Sequence, residues 1–260
     1  MRWVREHLVL LVGLLVLAYL FVPIGYTVAF SFNDAGRSNL TWRGFTLDNW
    51  SNPCGAPEVC TALGNSLKIG LLATAGATVL GTMVAFALAR HRFRGRAATN
   101  LLIFLPMATP EVVLGASLLT MFLNLRVNPG FWTIVIAHVM FCISFVVVTV
   151  KARLASLDPR LEQAAMDLYA DEWQTFRRVT LPLVAPGIVA AALLAFALSF
   201  DDFIITNFNS GNVTTFPKFV YVSATRGIPA QANVIGTAML VVALLIVGIG
   251  QLLSARRRTR

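Results

Sequence analysis

The sequence predicts an all-α integral membrane protein in which six helices cross the bilayer. Hydrophobic residues make up 57% of the chain and charged residues only 13%. A bilayer core of roughly 30 Å needs about 20 apolar residues per helix. Apolar runs of that length occupy residues 8–30, 69–89, 101–123, 131–150, 184–206 and 234–253. We expect one transmembrane domain over residues 1–260.

The positive charges fall mainly in alternate loops. The richer side holds Arg2, Arg5, Arg90, Arg92, Arg94, Arg96, Lys151, Arg153, Arg160, Arg177, Arg178, Arg256, Arg257, Arg258 and Arg260. The other side holds Arg37, Arg43, Lys68, Arg126, Lys218 and Arg226. Short basic loops stay in the cytoplasm, so both termini are predicted to be cytoplasmic. The net charge of +9 is explained by topology and anionic lipid, which excludes nucleic acid as a partner.

The first span has the charged start of a signal peptide, but its apolar run is too long and no small-residue cleavage site follows. We interpret it as an uncleaved anchor. The exported loop after it contains Cys54 and Cys60, and the sequence leaves open whether they form a small disulfide.

The second span carries small residues at four-residue spacing, which lets helices approach closely and predicts a central position in the bundle. These residues are Ala77, Gly81, Ala85 and Ala89. Two prolines, Pro106 and Pro110, are predicted to interrupt the third span, and Glu111 follows the second. In the fourth span, His138 is interpreted as a hydrogen-bonded packing residue and Cys142 as a small apolar filler.

The cytoplasmic segment 151–183 is charged and amphipathic. Asp158 and Pro159 predict a helix start, with Asp158 as N-cap and Pro159 as the first helical residue. Apolar positions with helical spacing are Leu161, Ala164, Ala165 and Leu168. Charged positions on other faces are Glu162, Asp167, Asp171 and Glu172. Such a helix is either a solvated connector or a docking element for a soluble partner.

The residue order favours docking, because it resembles the signature of permease subunits of ATP-binding-cassette (ABC) importers: Glu-Ala-Ala, three residues, Gly, nine residues, Ile, one residue, Leu-Pro. The matching residues are Glu162, Gln163, Ala164, Ala165, Tyr169, Val179, Leu181 and Pro182. Gln163 replaces the family's Glu, with Glu162 beside it, and Tyr169 replaces its Gly. The family's glycine permits a turn that costs energy for a residue with a side chain. We therefore expect this chain to make the local bend differently.

The resemblance implies a six-helix type I ABC importer transmembrane domain with a cytoplasmic coupling helix. It implies two copies of a separate ATPase subunit, which bind ATP and Mg, since this chain has no phosphate loop and needs no cofactor of its own. It also implies a second, homologous permease subunit, an extracytoplasmic substrate-binding protein and the inner membrane of a bacterium.

Carboxylates within the spans point to the cargo, because buried ionisable groups are costly and mark substrate pathways. Glu111, Asp201 and Asp202 have no obvious basic partner in the six spans, which suits a cationic solute. Adjacent helical residues point about 100° apart. We therefore assign Glu111 and Asp201 to the pathway, whereas Asp202 either shares it or caps a broken helix.

The stretch SFDDFIITNF, the run from Leu105 to Val113, and Phe216-Pro217 with Tyr221 resemble the second permease subunit of bacterial spermidine/putrescine importers. Polyamines need aromatic faces as well as carboxylates. Trp50, Phe208 and Tyr221 are candidates, although aromatic residues also anchor helices at membrane interfaces.

Two alternatives remain for the function. The same importer mechanism serves other small solutes, including metal-ion complexes and phosphonates. A secondary transporter driven by an ion gradient leaves the docking-like helix unexplained. The sequence shows no metal-ligand cluster, nucleophile–base pair or cofactor loop, so an enzyme and a metal site are not expected.

Overall fold

A computed structural model describes residues 2–36 and 38–258, and the side chains of residues 7–36 and 38–251. The charges predicted to mark the cytoplasmic termini, and Arg37, lie outside the described side chains. The described chain is helical, with one isolated β-bridge between Asn33 and Phe45. The helices are α1 (Arg2–Phe30), α2 (Asp48–Ser51), α3 (Val59–Arg90), α4 (Arg96–Ala108), α5 (Glu111–Asn124), α6 (Phe131–Ala155), α7 (Arg160–Asp167), α8 (Glu172–Thr175), a π-helical segment (Phe176–Thr180), α9 (Leu181–Asp201), α10 (Ile204–Asn209), α11 (Phe216–Arg226) and α12 (Ala230–Arg258).

Among the residues described, five helices are long and apolar enough to cross a membrane: His7–Phe30, Val59–Arg90, Phe131–Ala155, Glu172–Asp201 and Ala230–Gln251. The pair α4 and α5 makes a sixth if it is one broken span, because the two helices are bent by 107°. All six predicted apolar runs thus fold mainly as helix, and the prediction of an all-α membrane protein is confirmed.

The third run is not one helix over 101–123. It breaks at Thr109, whose extended backbone (φ −81°, ψ 132°) is the conformation that a following proline favours. Pro110 has no N–H to continue the helix, and α5 starts directly after it. Pro106, by contrast, lies inside α4, so the prediction that it interrupts the span is wrong.

The fifth run ends earlier than residue 206. Helix α9 stops at Asp201, and Asp202 has an extended backbone (φ −64°, ψ 123°). The chain then re-enters a short helix, α10. The break places a carboxylate at the end of a membrane-spanning helix.

The chain divides into two compact units. One comprises the residues up to Cys60 and those from Phe219 onward, and the other comprises Thr61–Lys218. In the first unit α1 packs on α12, and Oγ1 of Thr237 donates to the carbonyl of Thr27 at 3.4 Å. The single domain 1–260 stays a prediction.

The core of the second unit forms around α6, which packs against α9. The fully buried residues there include Ala77, Ala85, Cys142, Val146, Ala191 and Ala195. A Cβ added at Gly81 would lie 2.7 Å from Cγ1 of Val146, so the backbones of α3 and α6 approach closely. The small-residue stripe therefore packs as predicted up to Ala85, whereas Ala89 is exposed.

Candidate coupling surface and polar pathway

Helix α7 begins at Arg160, one residue after Pro159, which the sequence predicts as the first helical residue. Oδ1 of Asp158 accepts a hydrogen bond from the backbone N–H of Arg160 at 2.9 Å, and Pro159 is already helical (φ −59°, ψ −22°). A second cap follows at Asp171, whose side chain accepts from the N–H of Gln174 at 2.7 Å and starts α8. Two short helices, each with a side-chain oxygen accepting a backbone hydrogen bond at its start, thus form the segment that the sequence predicts to be cytoplasmic.

Tyr169 ends α7 in the left-handed conformation, with φ 65°. Its N–H donates to the carbonyl of Met166 at 3.0 Å, and the N–H of Ala170 donates to the carbonyl of Ala165 at 3.1 Å. This is the Schellman arrangement that glycine usually completes. The bend is therefore not made differently: Tyr169 adopts the conformation expected of the family's glycine and bears its steric cost.

Apolar side chains around α7 and α8 face solvent and define what we call the coupling surface. They are Leu161, Met166, Leu168, Tyr169 and Trp173. Leu168 is 81% exposed and Tyr169 98%. An exposed apolar cluster on short helices that also carry charged residues indicates a protein-interaction site.

The remaining signature residues surround this surface. Gln163 and Ala164 are exposed, Ala165 and Glu162 half-buried, Val179 half-buried in the π-helical segment, Leu181 half-buried and Pro182 exposed at the start of α9. Sequence reasoning therefore found the helix and its exposed leucines, Leu161 and Leu168. It did not find that Met166, Tyr169 and Trp173 are exposed beside them.

Glu162 forms a bridge that sequence reasoning missed. Its Oε1 accepts a hydrogen bond from Nη2 of Arg90 and another, at 2.5 Å, from Oγ1 of Thr180. Burial opposes ionisation of Glu162, but the bonds from Arg90 and Thr180 and the charge of Arg90 outweigh it and lower the pKa of this carboxyl. In the sequence Arg90 contributes only to the topology prediction, because it lies 72 residues from Glu162.

His138 lies at the centre of a buried polar cluster, the His138 cluster, which also contains Ser199, Asp202 and Thr206. Its Nδ1 is 2.7 Å from Oγ of Ser199, and its Nε2 is 3.2 Å from Oδ2 of Asp202 and 3.0 Å from Oγ1 of Thr206. An ionised carboxylate only accepts hydrogen bonds, so with Asp202 ionised this contact requires the imidazole hydrogen on Nε2. The cluster ties α6 to the break between α9 and α10.

Asp202 also caps α10, because its carboxylate accepts from the N–H groups of Ile205 at 3.3 Å and Thr206 at 2.8 Å. Of the two roles that the sequence left open, the geometry shows capping. The expectation that Asp202 lacks a basic partner is wrong, since His138 supplies one.

The other pathway candidates lie in two units. Glu111, in the first turn of α5, and Asp201, the last residue of α9, are exposed. Phe208 is half-buried beside Gly115, where a Cβ on the glycine would meet its ring at 2.9 Å. In the other unit, Nε1 of Trp50 donates to Oγ of Ser31 at 3.3 Å, and Tyr221 is exposed.

Cys54 and Cys60 form a disulfide, with 5.4 Å between their Cα atoms. Cys142 is a buried thiol in the core of the second unit, as expected of a filler. Among residues 7–36 and 38–251, no group of three His, Cys, Asp or Glu side chains is placed to hold a metal ion.

Residues 77–259 match the family described as "Binding-protein-dependent transport system inner membrane component". The chain is 36% identical to the spermidine/putrescine transport system permease protein PotC of Escherichia coli K12 over 244 residues, which cover 94% of this chain and 92% of the relative. It is also 36% identical to the putrescine transport system permease protein PotI of the same strain over 245 residues, with coverages of 91% and 87%.

Two solved structures share the fold. A bacterial ABC transporter involved in import of the acidic polysaccharide alginate has a TM-score of 0.67 and 16% identity, and the match covers 96% of both chains. The MetNI methionine ABC transporter has a TM-score of 0.62 and 16% identity, with coverages of 74% and 93%. The chain therefore belongs to the family of inner membrane components of binding-protein-dependent transport systems and is a multi-pass permease of that membrane.

Proposed function

We propose that this chain is the transmembrane permease subunit of an ATP-driven importer of polyamines such as spermidine and putrescine. The observation that carries the cargo is the 36% identity to PotC over 94% of the chain. Transport proceeds by alternating access, and a separate ATPase drives it.

The exposed carboxylates of Glu111 and Asp201 support a cationic cargo. A methylene chain with several ammonium groups needs acceptors spaced along a path and aromatic faces between them. Phe208, Trp50 and Tyr221 are the proposed faces. Asp202 takes a smaller part, because its side chain is held by His138 and by the backbone of α10.

The coupling surface supports an ATPase partner. Its five large apolar side chains are exposed to water, and covering them with a partner would lower the free energy of the complex. We assign this surface to the groove of an ATPase subunit, present in two copies that bind ATP and Mg. A second, homologous permease completes the transmembrane dimer, and a binding protein delivers the solute. Both termini then lie in the cytoplasm, on the ATPase side.

Uptake of radiolabelled spermidine and putrescine tests the proposal, in cells with this chain deleted or restored and with ATP supply and membrane potential varied separately. We expect restored uptake that follows ATP. Uptake that follows the membrane potential instead would indicate a secondary transporter, and unchanged polyamine uptake would indicate another cargo, such as a metal-ion complex or a phosphonate.

A matched pair of variants tests the coupling surface. Leu168→Glu places a charge on the surface, whereas Leu125→Glu makes the same change at an exposed leucine that follows α5. We expect the first variant to lose ATP-dependent uptake and the second to keep it. Equal uptake by both variants would remove α7 from the docking site.

A further inference from the structure

Three separate elements meet at the carboxylate of Glu162. Arg90 is the last residue of α3, Glu162 lies in the first turn of α7, and Thr180 precedes α9 directly. Both donors bond to the same oxygen, Oε1. A single side chain thus connects α7, which carries part of the coupling surface, with the ends of two membrane-spanning helices.

Empty space lies on both sides of this bridge. A cavity of about 250 Å³ on one side is also lined by Leu157 and Leu183. A cavity of about 710 Å³ on the other is also lined by Phe86 and Met166. Arg90, Glu162 and Thr180 line both cavities, so the bridge is the partition between them.

Close-packed interiors have low compressibility and transmit strain. Cavities between α7 and α3 remove that direct packing, so a displacement of α7 reaches α3 through whatever spans the gap. An ion pair with a shared hydrogen bond is short and directional. The Arg90 and Glu162 side chains are 41% and 20% exposed, and ion pairs at such positions add little stability.

From this geometry we infer that the Arg90–Glu162–Thr180 bridge is the strut that carries motion of the coupling surface into α3 and α9. The inference rests on the proposed function and names a positioning role for three residues within it. When α7 moves with the ATPase, the carboxylate pulls the end of α3 and the start of α9 together. Helix α9 ends at Asp201, beside the His138 cluster, so the displacement arrives at the break in that span.

The first measurement is the ratio of solute imported to ATP hydrolysed, with the assembled transporter in liposomes and spermidine as the probe. Glu162→Ala and Arg90→Ala should each lower uptake about tenfold while ATP hydrolysis falls less than about twofold, since the coupling surface still docks. The exchanged pair, Glu162→Arg with Arg90→Glu, should recover most uptake, because the hydroxyl of Thr180 donates or accepts. Parallel loss of uptake and hydrolysis would overturn the inference, because the bridge would then serve docking.

The second measurement needs no cargo. Hydrogen exchange of the α7 backbone is followed in the complex in nanodiscs. Glu162→Ala and Arg90→Ala should each speed exchange in α7, and combining them should add nothing. If α7 exchanges at the wild-type rate in both variants, the inference that the bridge holds α7 is wrong.

Matched controls are Glu172→Gln, a carboxylate that lines the larger cavity outside the bridge, and Arg92→Gln, an exposed arginine just beyond α3. Both should behave as wild type, and a control that uncouples as strongly as Glu162→Ala would overturn the assignment to the bridge. If wild-type liposomes import no polyamine, the proposed function fails, and the exchange measurement decides on the strut independently.

Discussion

Nε2 of His138 lies 3.2 Å from Oδ2 of Asp202, and the two side chains are only 2% and 4% exposed. The pair crosses from α6 to the point where α9 has ended and α10 has not begun. A carboxylate at that break is held by a side chain from one side and by backbone N–H groups from the other. Side-chain and backbone hydrogen bonds therefore stabilise the break in the fifth span.

His138→Ala should destabilise the protein by about 1–3 kcal/mol, because it removes one hydrogen-bond partner of the buried Asp202 carboxyl. The melting midpoint of the purified transporter measures this loss. His91→Ala, which changes an exposed histidine, is the control. Equal midpoints for the two variants would show that the His138 cluster does not hold the break.

Asp202→Asn should be milder than Asp202→Ala, since asparagine keeps an oxygen that accepts from the N–H groups of α10. Losing a cap costs about 1 kcal/mol. The same melting experiment ranks the two variants, and the reverse order would contradict the capping role.

Tyr169→Gly should stabilise α7 by about 1 kcal/mol, because a left-handed residue with a side chain is strained and glycine is not. Tyr169→Ala removes the same ring without relieving the backbone. Hydrogen exchange in α7 should therefore slow in the glycine variant only. Slower exchange in both variants would assign the effect to the ring.

Gly81→Ala should destabilise the second unit, because the new Cβ would lie 2.7 Å from Cγ1 of Val146 and 3.2 Å from the carbonyl of Ile143. Overpacking costs about 1–3 kcal/mol. Gly64→Ala in the same helix meets nothing within 4 Å and should gain up to about 1 kcal/mol of helix propensity. Opposite shifts of the melting midpoint are expected, and shifts of the same sign would contradict the close approach of α3 and α6.

The bridge at Glu162 gives a defined pH dependence. The folded state lowers the pKa of this carboxyl, so its contribution is complete above the ordinary glutamate pKa and is lost as pH falls through the lowered value. The difference in melting midpoint between wild type and Glu162→Gln should therefore be small at neutral pH, at most about 1 kcal/mol in stability, and should vanish in acid. A difference that grows in acid would contradict the ionised bridge.

The membrane-spanning helices were predictable because bilayer thickness sets the length of an apolar run. The break in the third span was predictable from Pro110, because the residue before a proline disfavours the helical conformation. Pro106 misled, since a proline inside a span can remain helical. The bridges were not predictable. His138 and Asp202 are 64 residues apart in the chain, and Arg90 and Glu162 are 72 apart, so no local spacing rule reports either pair.

The conformation of Tyr169 was unpredictable for another reason. The signature places glycine there, and a bulky residue suggests that the turn has changed, yet the backbone hydrogen bonds of Ala165 and Met166 impose the same turn. The two adjacent carboxylates also differ in ways that the sequence does not show. Asp202 is buried and bonded to His138, whereas Asp201 is exposed.

The disulfide between Cys54 and Cys60 has a consequence for how this permease is followed in cells. Disulfides persist in oxidising compartments and are rare in the reducing cytosol. In the proposed orientation, the loop after α1 lies on the oxidising side of the membrane. The bridge then forms once that loop has crossed the membrane, and its oxidation marks completed export of the segment. Under denaturing conditions, alkylation before reduction would modify only Cys142 in chains that carry the disulfide and all three cysteines in chains that lack it.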